Sequence, residues 1–513
     1  MSVQITFGAR TLPREAVEER ARRAAAAFRA LGVGAGDVVA IILRNDFAFL
    51  ETTVAAGYLG AYVTPVNWHA TADEADYILH DCQPKAVVIH SDLVEGLRGA
   101  FPAGVPVLVV ATPPDIRAAY GVAPDDPPAP DGARDWSAVV EAAVPLEPEA
   151  IESPGAMIYT SGTTGRPKGV RRRPPTPHEA TEAGRMIAIL FGNAGIDPAD
   201  ITALAAAPMY HSTPNAFVPH FYRLGANVIV HSRFDAEAML AEIEASKVTH
   251  VLAVPTMFVR LLKLPQEVRD RYDVSSLRFV MHGAAPCPPE VKRAMIEWWG
   301  PVIWEHYGGT ETSAITICDS AEWLAHPGTV GRAFEGAVLR ILDDAGRPLP
   351  AGEIGEVACW RPTTSQFTYN GDDDKRARAD RDGLVSLGDK GYLDADGFLH
   401  LSGRASDIVI SGGVNIYPAE IEAELIRMPG VADCAVFGIP DEEFGEALCA
   451  HVQPHAGAQI EGEAVRGYLR GKVSGYKVPR VVVVSDTLPR EDSGKIFKRK
   501  LREPYWAEAG RSI

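Results

Sequence analysis

Tyr159-Thr160-Ser161-Gly162-Thr163-Thr164-Gly165-Arg166-Pro167-Lys168-Gly169-Val170 gathers three glycines, a run of hydroxyl side chains and two cations into one short stretch. Gly162, Gly165 and Gly169 can take backbone angles closed to other residues, so that successive N–H groups converge on anionic oxygens. Thr160, Ser161, Thr163 and Thr164 add neutral donors, and Lys168 adds a point charge. The stretch therefore reads as a polyphosphate clamp. A polar turn-forming loop is the plainer alternative for any Gly/Ser/Thr run, and the order of the residues here argues against it. The Walker loop is excluded, because no Gly-Lys-Ser/Thr follows a first glycine at the required spacing.

Around this stretch the chain alternates short apolar runs with helical patterns. Runs at residues 38–43, 86–89, 105–110, 227–230 and 251–254 suit buried strands, and residues 236–245 and 289–299 suit helices. Val17, Ala21, Ala24, Phe28 and Leu31 recur at spacings of three and four, with Gly32 where a helix stop belongs. The alternation predicts an α/β fold with layered, largely parallel sheets. Beyond Gly403 about 110 residues remain, enough for a small α+β domain, with a helix over 418–427 and strands at 435–438 and 481–484. The expected division is a large N-terminal domain, 1–403, and a small C-terminal one, 404–513.

A length of 513 residues exceeds one ordinary core. The net charge of −17 argues against a broad nucleic-acid surface or charge-driven membrane binding, so any phosphate ligand must be held by local basic groups. Arg171, Arg172 and Arg173 make one such group directly after the clamp, where their position suits a role at a phosphate site, although a run of this kind is more often simply solvated. The six cysteines form no Cys-x-x-Cys pair, which points to free thiols in a reducing cytoplasm and no zinc site. No 18-residue apolar run predicts a membrane-spanning helix. Glu15, Glu18 and Glu19 argue against reading the arginine-rich start as a transit peptide.

Five further strings carry chemistry. His306-Tyr307-Gly308-Gly309-Thr310-Glu311-Thr312 offers an aromatic, a hydroxyl and a carboxylate around a glycine turn. Gly283-Ala284-Ala285-Pro286 ends a strand with small side chains that admit close approach to the backbone. Gly388-Asp389 lies near the end of the larger part, whereas Asp394-Ala395-Asp396-Gly397 reads as an ordinary turn. Gly403-Arg404-Ala405-Ser406-Asp407, with Ser411-Gly412-Gly413 after it, precedes the 418–427 helix. Last comes Pro489-Arg490-Glu491-Asp492-Ser493-Gly494-Lys495, followed by Lys498 and Lys500, both read as solvated.

Together these strings resemble the adenylate-forming superfamily of acyl-CoA synthetases, luciferases and peptide-synthetase adenylation domains, and within it the bacterial fatty-acid and bile-acid CoA ligases. The resemblance implies a carboxylate, ATP with Mg2+, and coenzyme A as substrates and cofactors. It gives the 159–169 loop the ATP phosphates, Gly283, Ala284, Ala285, His306 and Tyr307 the adenine, Asp389 the ribose hydroxyls, and Arg404 ribose or phosphate. Thr310 would reach the α-phosphate, Glu311 would hold the metal, and Lys495 would stabilise the transferring centre. Asp407 would be the hinge of a mobile C-terminal domain. Ser411, Gly412 and Gly413 would line the CoA channel, and His211 would gate the acyl pocket. Tyr210, Asn215, Met257, Gly308 and Gly309 are the pocket candidates, the paired glycines leaving its floor open to an apolar fatty, aromatic or steroid-side-chain acid.

Two positions depart from the pattern: Leu387 stands where threonine is usual before Gly-Asp, and Ser406 where lysine is usual before the hinge aspartate. The resemblance also leaves a carrier protein open as the acyl acceptor, and both monomer and homodimer as the assembly. A non-catalytic nucleotide-binding regulator is the reading from another class. The presence of Glu311, Asp389 and Lys495 argues against it.

Overall fold

The computed structural model describes residues 2–508 except 126, 131, 150, 161–166, 405–406, 412–413, 442–443, 471 and 491–495, with the backbone alone at 373, 375, 404, 415 and 508. The fold is α/β, a large N-terminal part built on layered sheets with a small C-terminal part after it. One sheet is wholly parallel: Tyr62–Pro65, Val38–Ile42, Ala86–His90, Val107–Val110 and Arg134–Asp135 lie side by side in that order. Val38–Ile42 and Ala86–His90 are buried along their whole length, as strands covered on both faces must be.

A nine-stranded sheet carries the site. Its parallel centre runs Asn227–Val230, Thr202–Ala205, His250–Ala253, Phe279–His282 and Ile303–Gly309. Ile303–Gly309 then turns back antiparallel into Ser313–Cys318, with a register shift at Tyr307/Gly308. Helices Arg14–Ala30, Phe47–Tyr58 and Ser212–Leu224 join the two sheets through one apolar core that runs from Ile5 to Phe334. Gly32, at φ +82°, follows the first helix where an L side chain would be strained.

A second, antiparallel group, Val338–Leu342, Gly355–Trp360 and Leu384–Leu393 with Leu399–Arg404 alongside, brings Asp389 to the end of the larger part. Asp394 closes the turn within that hairpin: its Oδ1 accepts the N–H groups of Asp396 and Phe398 at 3.0 and 2.9 Å, with Gly397 at φ +83°. The turn expected there is present. The C-terminal sheet orders Val414–Ile416, Val409–Ser411, Gly445–Pro454 and Val431–Asp441, with Val481–Val484 beside Gly445–Pro454. It packs on helices Pro418–Ile426 and Gly462–Arg470 around its own apolar cluster.

Lys498 corrects one expectation. Rather than being solvated, its ammonium lies 2.7 Å from Glu422 Oε1 and ties helix Lys498–Glu508 to helix Pro418–Ile426. Burial alone would lower its pKa, and the charges of Glu422 and Asp407 raise it instead. All six cysteines are free thiols. Among the described residues no helix is long and apolar enough to cross a membrane.

Candidate active site

Three segments far apart in the chain meet at one place. The first is the strand Lys168–Arg172, which pairs antiparallel with Ile158–Thr160 on one side and Phe367–Tyr369 on the other. Thr160 lies opposite Lys168, so both ends of the clamp are held, while Ser161, Gly162, Thr163, Thr164 and Gly165 fall outside the described residues. Lys168 Nζ is 3.3 Å from Asp372 Oδ2. Burial opposes its charge, the hydrogen bonds and charges of Asp372 and Tyr77 together outweigh that, and the ammonium pKa is raised.

Gly169 is a glycine for a reason other than the one expected. It sits in a strand opposite Tyr159, and a Cβ there would come within 2.9 Å of the Tyr159 ring. Close packing, not an unusual backbone angle, requires it. The Tyr159 hydroxyl donates to Asp81, and Asn370 Nδ2 donates to the Asp81 carbonyl at 2.8 Å, which anchors this hairpin to helix Ala72–Cys82.

The second segment is the turn from Tyr307 to Ser313. Tyr307 donates its hydroxyl to Asp389 Oδ2 at 2.7 Å, joining the third segment, strand Leu384–Leu393. Glu311 Oε1 accepts the Tyr369 hydroxyl at 3.1 Å, and burial together with the Glu311 charge raises the Tyr369 pKa. Thr310 lies in the turn beside Glu311. Arg404 pairs with Asp389 across the antiparallel hairpin, which puts its backbone next to the ribose candidate.

The paired glycines do not leave open space. A Cβ on Gly308 would come within 1.9 Å of the Ser313 carbonyl oxygen, and one on Gly309 within 3.0 Å of Leu387 Cδ1 and 3.2 Å of Glu311 Oε2. The register shift at Tyr307/Gly308 presses the returning strand onto the turn, and this accounts for the glycines. Leu387 packs against two apolar clusters, one holding Tyr369 and the other Tyr307. It thus packs against both of the clusters that hold the tyrosines whose hydroxyls reach Glu311 and Asp389.

Below the turn the strand is heavily buried. Lys292 Nζ meets Glu305 Oε2 at 2.6 Å with both side chains nearly inaccessible, and burial raises the Glu305 pKa against the opposing pull of Lys292. Burial, with Lys292 and His306 nearby, holds His282 neutral, and burial pushes His306 down to about 4. A Cβ on Gly283 would lie 2.7 Å from His306 Nε2, so the close approach that the 283–285 loop permits is in part that of His306 itself. Ala284 holds φ +67°, a left-handed angle rare for a non-glycine residue, and Ala285 follows it in the same loop.

The rings of Tyr210 and His211 lie tilted at 46° to one another, 4.2 Å between centroids, at the start of helix Ser212–Leu224. Asn215 donates its side-chain amide to the Met209 carbonyl at 3.0 Å and its backbone N–H to the His211 carbonyl at 3.0 Å, so it braces this helix start. Met257 is buried in the apolar layer of helix Pro255–Leu262. In the C-terminal part Asp407 lies two residues before strand Val409–Ser411, and Ser411 ends that strand. Gly412, Gly413 and Lys495 fall outside the described residues, as does the Arg404 side chain.

The residues that sequence reasoning missed are Tyr369, Leu387 as a packing residue, and Arg172. No local pattern marks them, since each earns its place through partners 58 to 193 positions away or through contacts between separate clusters.

Residues 3–367 match the family model described as AMP-binding enzyme, and residues 420–495 match that for the AMP-binding enzyme C-terminal domain. The chain belongs to the adenylate-forming superfamily. Among curated members, a feruloyl-CoA synthase of Amycolatopsis sp is 34% identical over 504 residues, spanning 98% of this chain and 95% of that protein. A 3-[(3aS,4S,7aS)-7a-methyl-1,5-dioxo-octahydro-1H-inden-4-yl]propanoyl:CoA ligase of Mycobacterium tuberculosis is 34% identical, spanning 94% and 91%. Among solved structures, the ATP-bound RpMatB-BxBclM chimera B1 superposes with a TM-score of 0.84 at 28% identity, spanning 98% of this chain and 96% of that one. The adenylate-forming chain described here is an enzyme of the ATP-dependent, AMP-forming acid–CoA ligase family.

Proposed function

We propose that this enzyme activates an apolar aromatic, fatty or steroid-side-chain carboxylic acid in two steps and delivers the acyl group to coenzyme A. The observation that carries the reading is the convergence of Tyr307, Asp389 and Glu311 beside the strand that follows the clamp. In the first step a carboxylate oxygen bonds to the α-phosphorus of ATP as the bond to the β-phosphate oxygen breaks, and pyrophosphate leaves. In the second the CoA sulfur bonds to the acyl carbon, the acyl–phosphate bond breaks, the thiol proton goes to solvent, and AMP leaves.

Each residue has a task in the first step. Tyr307 and the 283–285 loop receive the adenine, with His306 behind them, and Asp389 accepts from the ribose hydroxyls with Arg404 beside it. Lys168 exchanges its Asp372 partner for phosphate oxygens, together with Thr160 and residues 161–165. Thr310 donates to the α-phosphate. Glu311 presents a hard oxygen ligand of the kind Mg2+ selects, so the turn fits that ion; bound there, Mg2+ would neutralise charge on the phosphate oxygens. Lys495 donates its charge where the α-phosphorus becomes five-coordinate.

The second step uses the other end of the chain. The domain beyond Asp407 turns about that residue, withdraws Lys495 and brings Ser411, Gly412 and Gly413 to the acyl site. Ile410 and Val414, both exposed, flank those glycines with apolar surface suited to the pantetheine arm. His211, its ring against that of Tyr210, stands where the acyl group meets the thiol.

The substrate class rests on the relatives, whose names specify a feruloyl and a fused-ring propanoyl acid. A panel of ferulate, a steroid-side-chain acid, octanoate and acetate, assayed with ATP, Mg2+ and CoA, tests it by thioester mass and kcat/KM. Acetate is expected to fall at least about 100-fold below the best apolar acid. Acetate as the best substrate would overturn the assignment.

A further inference from the structure

Arg172 is the second of three arginines after the clamp, and it is not a solvated charge. Its Nη2 donates to the backbone carbonyls of Thr310 at 3.0 Å and Glu311 at 2.6 Å, and approaches Ser313 Oγ at 3.3 Å. Its Nη1 donates to the Ser365 carbonyl at 2.7 Å, and the guanidinium carbon sits 5.9 Å from the Phe367 ring centroid. The neighbours behave differently. Arg171 lies over the Tyr62 ring and donates to the Gly36 carbonyl, and Arg173 pairs with Glu179 on the surface.

Three things follow from that geometry. One rigid planar group fixes two consecutive peptide units of the turn that bears Thr310 and Glu311. The same group belongs to the strand that opens at Lys168, so the phosphate-holding segment and the turn are locked in register. The strand Phe367–Tyr369, which supplies the hydroxyl to Glu311, is drawn in through Ser365. Burial lowers the Arg172 pKa to about 10 against the pull of Glu311, which still leaves it charged at neutral pH.

We propose that Arg172 is a positioning residue for adenylation, holding the Thr310–Glu311 turn in register with the phosphate-binding strand. This rests on the adenylation role proposed above. Only a guanidinium can reach both turn carbonyls through one nitrogen while a second nitrogen serves Ser365; a lysine ammonium at the end of a shorter, flexible stem cannot hold all three. Because a displacement near 1 Å of a reacting group is costly to the rate, the effect belongs in kcat and in the response to Mg2+ rather than in ATP binding.

The experiment uses the full-length enzyme with the best acid of the panel, following pyrophosphate release as ATP and Mg2+ are varied, with thermal unfolding in parallel. For Arg172→Lys, kcat is expected to fall about 10- to 100-fold, with KM for ATP within about threefold and half-saturation by Mg2+ raised at least about threefold. A folded Arg172→Lys enzyme with kcat and Mg2+ response within about twofold of wild type overturns the proposal, as does a loss of folded fraction with unaltered Mg2+ response. Should that variant not fold, Ser313→Ala removes one acceptor of the same nitrogen, and a drop of about two- to fivefold in kcat with the same Mg2+ shift is expected. No change in Ser313→Ala then overturns it. A wild-type enzyme that releases no pyrophosphate with any acid brings down the adenylation reading, and this role with it; a responsive wild type with an indifferent Arg172→Lys brings down this role alone.

Discussion

Lys495→Ala is expected to lower acyl-adenylate formation from ATP by about 100- to 1,000-fold, the range found when a single preorganised donor to a developing anion is removed. Thioester formation from preformed acyl-adenylate and CoA should stay within about threefold, because on this account the lysine has by then left the site. The lysine lies in Pro489-Arg490-Glu491-Asp492-Ser493-Gly494-Lys495, close in sequence to the lysines of helix Lys498–Glu508. Lys498 itself is committed to Glu422, so it is not a ready substitute. The partial reactions are read by labelled pyrophosphate exchange and by thioester mass. Equal loss in both would remove Lys495 from its assigned role.

The second large effect is at Glu311. Glu311→Gln keeps the shape of the side chain and an oxygen to accept from Tyr369, so the fold should be preserved, while the charge that would hold Mg2+ is gone. Pyrophosphate release at fixed low Mg2+ should fall about 100-fold, and half-saturation by Mg2+ should rise at least about tenfold. Unfolding temperature, measured in parallel, should move little. An unchanged Mg2+ titration would contradict the metal assignment, and a large fall in unfolding temperature would show the carboxylate acting in the fold instead.

Much of the architecture was legible in the chain. Asn227–Val230, Ala236–Ala245, Pro289–Trp299 and Val481–Val484 begin and end where the apolar pattern places them, because each is a short element whose burial is set by its own residues. Elsewhere the limits moved by a few residues, as at Val107–Val110 and Val431–Asp441. The site was legible as strings but not as contacts. Nothing local to Arg172 distinguishes it from Arg171 or Arg173; the difference is that the strand Lys168–Arg172 lies against the turn, and that is a property of the sheet.

The glycines teach the same lesson. Gly169, Gly308 and Gly309 were read through what glycine permits, whereas Tyr159, the Ser313 carbonyl and Leu387 decide why it is needed. Leu387, a departure from the family pattern, is explained by its seat between the clusters of Tyr307 and Tyr369. An apolar residue there serves packing of the groups that hold Asp389 and Glu311, and the missing hydroxyl leaves their contacts in place.

In the proposed mechanism a carboxylate is activated through an enzyme-bound acyl-adenylate before any thiol is engaged. The direct measurement is a single turnover with ATP, Mg2+ and the best apolar acid but no CoA, quenched and analysed by mass. Acyl-adenylate and pyrophosphate are expected in equal amounts, stoichiometric with enzyme, with full conversion to AMP and acyl-CoA when CoA is added. Release of ADP and phosphate, or no acyl-adenylate until CoA is present, would contradict this mechanism.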